Sequence, residues 1–204
     1  MKTYKYLTSA VLMCSLLILS SFSGDGYKVG DQVADFKLKN VDGKTVSMAD
    51  FEDAKGFIIV FTCNHCPYAK MYEERIMQLD EKYASQGYPV IAINPNDPVK
   101  QPEDSFDKMK ERAEEKGYSF PYVLDDTQEI AKRFGAAYTP HTFVVEKKGT
   151  NYKVAYIGAI DDNYRDAASA KKFYVEDAVD ALLEGKAPAN PSVKGVGCSI
   201  KWKS

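Results

Sequence analysis

The segment Phe57-Ile58-Ile59-Val60-Phe61-Thr62-Cys63-Asn64-His65-Cys66-Pro67 changes character within a few residues. Phe57 to Phe61 are all β-branched or aromatic, the composition of a strand buried on both faces. A Cys-x-x-Cys pair follows, and beyond it Tyr68, Tyr72, Ile76, Leu79 and Tyr83 recur at helical spacing. The dithiol is therefore expected at a strand-to-helix turn. There, unpaired first-turn N–H groups and the positive end of the helix dipole stabilise a thiolate, the reactive form of sulfur. The spacing sets both sulfurs on one side of the first helical turn, within reach of a disulfide that opens and closes without other rearrangement. Pro67 forfeits no intrahelical bond at the first helical position. Cys63, at the outer end of the turn, is the expected nucleophile, with Cys66 one helical turn deeper.

Upstream, Ala34 to Lys39 alternates apolar and polar residues, Asp42-Gly43 marks a turn and Thr45-Val46-Ser47 follows, which reads as an N-terminal hairpin with Ser47 capping a short helical turn. Downstream, Gly87 stops the helix, and Tyr88 to Asn94 is a second buried strand, reached by a helical crossover and hence parallel to the first. Phe106, Met109 and Ala113 mark a helix closed by Gly117, and Pro121 to Leu124 a short strand. Thr127 is the expected cap of a helix carrying Ile130, Ala131 and Phe134. Thr142–Glu146 and Tyr152–Ile157 form a hairpin around Lys148-Gly149, and Val175, Val179 and Leu182 a last helix before Gly185. From Ala187 onward Pro, Gly, Ser and Lys dominate, as in a tail. No internal repeat is present.

The 204 residues are 45% hydrophobic, with 27 basic against 29 acidic side chains and a net charge of -2. This suits one globular domain, and with no polybasic block it argues against nucleic acid or an anionic membrane surface as partner. Residues 1–23 differ from the rest: Lys2 and Lys5 precede the uncharged run Leu7–Phe22, as in a secretory signal peptide cleaved near Ser23. The competing reading is an uncleaved membrane anchor, for which the run is shorter than the roughly 20 residues a span needs. Cys14 lies within the run after Met13, where a lipid attachment site would carry a small residue, so it leaves with the signal. The expected organisation is a signal peptide over 1–23, a domain over 24–186 and a tail over 187–204. Cys63, Cys66 and Cys198 then stand in an exported, disulfide-permissive setting, periplasmic or extracellular. They are too few for a disulfide scaffold, so the close pair is a redox centre or part of a metal site.

The order of strand, Cys-x-x-Cys, long helix, crossover strand, Thr139-Pro140, hairpin and final helix resembles the thioredoxin fold over about Lys28 to Leu183. Val29-Gly30-Asp31-Gln32-Val33-Ala34-Asp35-Phe36 with Asp42-Gly43-Lys44 narrows the resemblance to redoxin-domain proteins of the AhpC/TSA superfamily and their TlpA-like exported relatives. Cys63-Asn64-His65-Cys66-Pro67 and Gly197-Cys198-Ser199-Ile200-Lys201-Trp202 resemble a narrower redoxin group. The resemblance implies a three-layer α/β/α fold with a mixed sheet. It implies a cis Pro140 against the dithiol, with the backbone of Thr139 pairing with a bound client strand, and Thr62, Asn64 and His141 around the client site. The implied activity is exported thiol–disulfide exchange through a mixed disulfide at Cys63, resolved by Cys66. It needs no cofactor beyond that disulfide, and implies protein dithiol or disulfide clients, an upstream redox partner and a monomeric protein.

Two departures bear on this. Thioredoxin proper carries an acidic residue in the strand before the dithiol, and Phe57 to Phe61 has none, so another group must manage the proton. Peroxiredoxins carry Thr or Ser three residues before the peroxidatic cysteine, where this chain has Val60, which counts against thiol peroxidase activity. His65 and His141, the two histidines, are expected on one surface near the thiols, His65 favouring the Cys63 thiolate. Two thiolates and imidazole also suit copper or zinc, a metallochaperone reading that would need His141 or Cys198, since adjacent His65 and Cys66 cannot readily share one ion with Cys63. Cys198 is either packing or an auxiliary resolving thiol, its segment folded back on the anchors Ile200 and Trp202.

Overall fold

The computed structural model describes residues 24–204. The expected signal segment, with Cys14, lies outside them. The strands, in chain order, are β1 (Gln32–Val33), β2 (Leu38–Asn40), β3 (Thr45–Val46), β4 (Gly56–Phe61), β5 (Val90–Asn94), β6 (Tyr122–Leu124), β7 (Tyr138–Thr139), β8 (His141–Lys148), β9 (Asn151–Gly158), β10 (Ser192–Val193) and β11 (Cys198–Ser199). The helices are α1 (Pro67–Tyr83), α2 (Phe106–Lys116), α3 (Glu129–Phe134) and α4 (Tyr174–Leu183).

β4 is the centre of the sheet because every one of its residues is buried. Its side chains alternate between two cores: Phe57, Ile59 and Phe61 enter one, Ile58 and Val60 the other. The first core is closed by Met48, by Ile130, Ala131 and Phe134 of α3, and by Ile200. The second is closed by Tyr72, Ile76 and Leu79 of α1, Met109 of α2, and Val175, Ala178 and Val179 of α4. At about 1.5–3 kcal/mol for each fully buried large apolar side chain, β4 alone commits the sheet to its place between the two helical layers.

The sheet runs β1-β9-β8-β4-β5-β6-β2-β3, with β10 beside β9. β4–β5 and β5–β6 are parallel, whereas β8 lies antiparallel to β4, so the sheet is mixed, as a thioredoxin-like α/β fold requires. The hairpin β2–β3 forms as expected, but pairing begins at Leu38 rather than Ala34. Asp35 Oδ1 accepts the amides of Phe36 and Met48 and turns the chain there. Ser47 caps the short turn with a full capping box. Before α3 the capping position is Gln128, in left-handed conformation (φ 61), and the Thr127 hydroxyl accepts the amide of Glu129, the first helical residue.

The segment from 187 onward, expected as a tail, is part of the fold. β10 pairs parallel with β9, β11 pairs antiparallel with β7, and Ile200 is 4% exposed within the first core. Gly158 makes this possible, since at φ 144 a Cβ there would overlap the Val193 carbonyl. No helix among the described residues is long and apolar enough to cross a membrane.

Candidate active site

β4 delivers Cys63 to the turn, and Cys66 is the residue immediately before α1, with Pro67 the first helical residue. Both thiols are buried: Cys63 retains 3% exposure and Cys66 none. Thr139, joined to Pro140 by a cis bond, lies against them. Thr139 Oγ1 is 3.2 Å from Cys63 Sγ, and the Cys66 thiol donates to the Thr139 carbonyl oxygen at 3.2 Å. Thr62 is held in the backbone ladder by its bond to the Ile93 oxygen.

A buried carboxylate that the sequence reading did not single out organises the turn. Asp104 is fully buried between the dithiol loop and α2. Its Oδ1 accepts the amides of Asn64 (2.7 Å) and His65 (3.1 Å). Its Oδ2 accepts from His65 Nδ1 (2.6 Å) and Asn96 Nδ2 (2.8 Å). A carboxylate only accepts, so the imidazole proton of this pair belongs on Nδ1. That same nitrogen lies 3.5 Å from Cys63 Sγ. A proton relay through the ring would need the two ring nitrogens on different partners, so His65 acts as a donor beside Cys63 and not as a relay. Cys63 Sγ, His65 Nδ1 and an Asp104 oxygen lie within 4.8 Å of one another, a grouping that could hold a metal ion. The 2.6 Å between nitrogen and oxygen is, however, the length of a direct charge-assisted hydrogen bond. Among the described residues neither His141 nor Cys198, one of which the metallochaperone alternative would need, is in this group.

The two thiols act on one another. The hydrogen bond between their sulfurs is the largest influence on both, pushing Cys63 well above the usual thiol range and pulling Cys66 down to about 4. Burial raises both, and the Asp104 charge raises Cys63 further. Cys66 also accepts from the Cys198 thiol and the Ala69 amide in the first turn of α1, where a thiolate is favoured. The two thiols are thus shifted in opposite directions, Cys63 upward and Cys66 downward.

Three further expectations change. Asn64 does not face a client: its Nδ2 donates to the Glu103 oxygen and its Oδ1 accepts from the Tyr122 hydroxyl. His141 stacks on Tyr138 (centroids 4.3 Å apart) and accepts the Ala137 amide, and burial lowers it to about 4, leaving it neutral and structural. The Thr139 edge, expected to pair with a client strand, is occupied by β11, with Cys198 opposite Thr139. Asp104 could have been sought from the sequence, since β4 lacks an acid and the loop after β5 carries Glu103-Asp104.

Fold and site together define a thioredoxin-like protein with a buried dithiol at a helix start, held by a threonine that precedes a cis-proline. The chain belongs to the AhpC/TSA family, whose profile matches residues 29–154. It is 26% identical over 127 residues to thiol-disulfide oxidoreductase ResA of Halalkalibacterium halodurans, covering 62% of this chain and 68% of the relative. Among solved structures it is similar to an uncharacterized conserved protein from Geobacillus kaustophilus, with a TM-score of 0.79 and 39% identity over 86% of this chain and 93% of the other. It is likewise similar to a hypothetical protein from Sinorhizobium meliloti 1021, with a TM-score of 0.79 and 32% identity over 88% and 97%.

Proposed function

We propose that the protein is an exported thiol–disulfide oxidoreductase whose Cys63 and Cys66 exchange with disulfides of protein clients. The observation that carries this reading is the pair of buried thiols packed together at the start of α1, each 3.2 Å from an oxygen of Thr139. The Cys63 sulfur, the less buried of the two, attacks one sulfur of a client disulfide, and its proton passes to the client sulfur that leaves. One client sulfur leaves as a thiol and the other is bonded to Cys63. Cys66 then attacks Cys63 Sγ, and its proton passes to the second client sulfur. A Cys63–Cys66 disulfide closes and the second client sulfur is released, two electrons having passed to the client. The Thr139 hydroxyl, 3.2 Å from Cys63 Sγ, can donate to that sulfur as it loses its proton.

Export follows from the signal-like residues 1–23, and an upstream thiol partner of the monomeric protein restores the dithiol. The test is reduction of insulin disulfides by the reduced protein, with Cys63→Ser and Cys66→Ser beside it. Cys63→Ser should abolish exchange, and Cys66→Ser should accumulate an acid-trappable mixed disulfide with insulin. Unchanged exchange in Cys63→Ser overturns the reading.

A further inference from the structure

Cys198 lies opposite Thr139 in the β7–β11 ladder, the residue whose hydroxyl and carbonyl face the two active sulfurs. Its side chain packs in the same small cluster as Cys63, Cys66 and Ala69. The Cys66 and Cys198 thiols act on one another's protons, lowering Cys66 and raising Cys198. Three sulfurs are thus gathered beside Thr139, those of Cys63, Cys66 and Cys198.

The segment that carries Cys198 is fitted to this place. Gly197 approaches Thr139 so closely that a Cβ would lie 2.4 Å from its carbonyl oxygen, and the Gly195 amide donates to the Tyr138 hydroxyl at 3.0 Å. Beyond β11 the Lys201 amide donates to Asn96 Oδ1 (2.8 Å), and the Lys201 oxygen accepts from the Asp97 amide (2.9 Å) and Gln128 Nε2 (2.8 Å). The Lys203 amide donates to Gln128 Oε1 at 2.7 Å. Asn96 in turn donates to Asp104, so one buried network fixes both the dithiol loop and the strand bearing the third thiol. Packing alone would be met by any small apolar side chain. A thiol held against a disulfide-forming pair is instead a partner for exchange.

We propose that Cys198 is a third redox thiol, which displaces Cys63 from Cys66 to form a Cys66–Cys198 disulfide. The inference rests on the reading of Cys63 and Cys66 as an exchange-active pair. In the oxidised protein the Cys198 sulfur attacks Cys66 Sγ. The Cys66–Cys198 bond forms as the Cys63–Cys66 bond breaks, Cys63 leaves as thiolate and the Cys198 proton passes to it. No electrons are gained or lost, so the step needs no further oxidant. Its effect is to free Cys63 while the disulfide is stored one strand away, behind the edge that β11 closes.

The experiment is disulfide mapping by mass spectrometry after brief oxidation with diamide and acid quenching, on the wild type and on Cys63→Ser and Cys63→Ala. Circular dichroism verifies that each variant is folded. Both variants should show Cys66 and Cys198 joined in most molecules, and the wild type a mixture of Cys63–Cys66 and Cys66–Cys198 linkages. Folded variants in which Cys66 and Cys198 both remain open to alkylation overturn the proposal. The insulin assay separates the two readings: exchange without a Cys66–Cys198 linkage overturns the third-thiol role and leaves the proposed function standing. The linkage without exchange does the reverse.

Discussion

Asp104→Asn keeps the size of the buried side chain, removes its charge and replaces one acceptor by a donor. The amide oxygen can still receive the Asn64 and His65 amides, now bound at 2.7 and 3.1 Å. The new NH₂ group would stand where Oδ2 meets His65 Nδ1 and Asn96 Nδ2. His65 can change tautomer and accept. Asn96 cannot turn its oxygen inward without giving up the Lys201 amide, so two donors face each other in a buried site. A buried unsatisfied group costs about 1–3 kcal/mol, and weakening charge-assisted bonds to neutral ones adds about 1 kcal/mol, for a total of about 2–4 kcal/mol. The thiol moves the other way. The sulfur–sulfur hydrogen bond and burial still raise Cys63, but the carboxylate's contribution is gone. The variant should thus be less stable and more readily deprotonated at Cys63. Urea unfolding of the reduced protein, followed at the single tryptophan, Trp202, measures the first. The pH profile of alkylation in a Cys66→Ser, Cys198→Ser background, with and without Asp104→Asn, measures the second. A stability loss under about 0.5 kcal/mol, or a Cys63 midpoint that moves upward, refutes the reasoning.

His141 binds its proton near pH 6.5 in the unfolded chain but only near 4 in the fold, so the unfolded state holds more protons between those values. Stability should fall by up to about 3 kcal/mol as the pH drops from about 6.5 to about 4, and His141→Phe should flatten that slope in urea titrations; an unchanged slope counts against it. Gly197→Ala would drive a Cβ into the Thr139 carbonyl. Its expected effect is faster alkylation of Cys198 and a cost of about 1–3 kcal/mol, and unaltered labelling would show that β11 does not hold the thiol. Gln128→Gly suits the left-handed backbone but removes the side-chain amide that donates to the Pro95 and Lys201 oxygens and accepts from the Lys203 amide. Proteolysis near Lys201 and Lys203 should then accelerate at least several-fold, and equal rates would refute the clamp.

The sheet, the four helices and the dithiol were legible because each rests on a period or a local signal. The buried run of β4, the helical spacing of Tyr72, Ile76 and Leu79, and the left-handed Gly117 and Gly135 after their helices all survive in the structure. Two-residue strands such as β7 and β11 carry no period, so the pairing of Cys198 with Thr139 was not readable. Asp104 acts across 40 positions from Asn64, and in the sequence it is one acid among many before a helix. Asn64 and His141 were misjudged for one reason. A polar side chain beside a reactive thiol can face a client or hold the scaffold, and hydrogen-bond geometry alone tells these apart.

Asn96 gives its amide hydrogen to Asp104 and its oxygen to the Lys201 amide, so the dithiol loop and the strand of Cys198 cannot be released one at a time. Local opening of this region is then a single cooperative event. Deuterium should enter the backbone amides of Asn64, His65 and Lys201 at one common rate, slowed or hastened together by anything that touches either segment. A protease, like the solvent, meets the two segments both closed or both open.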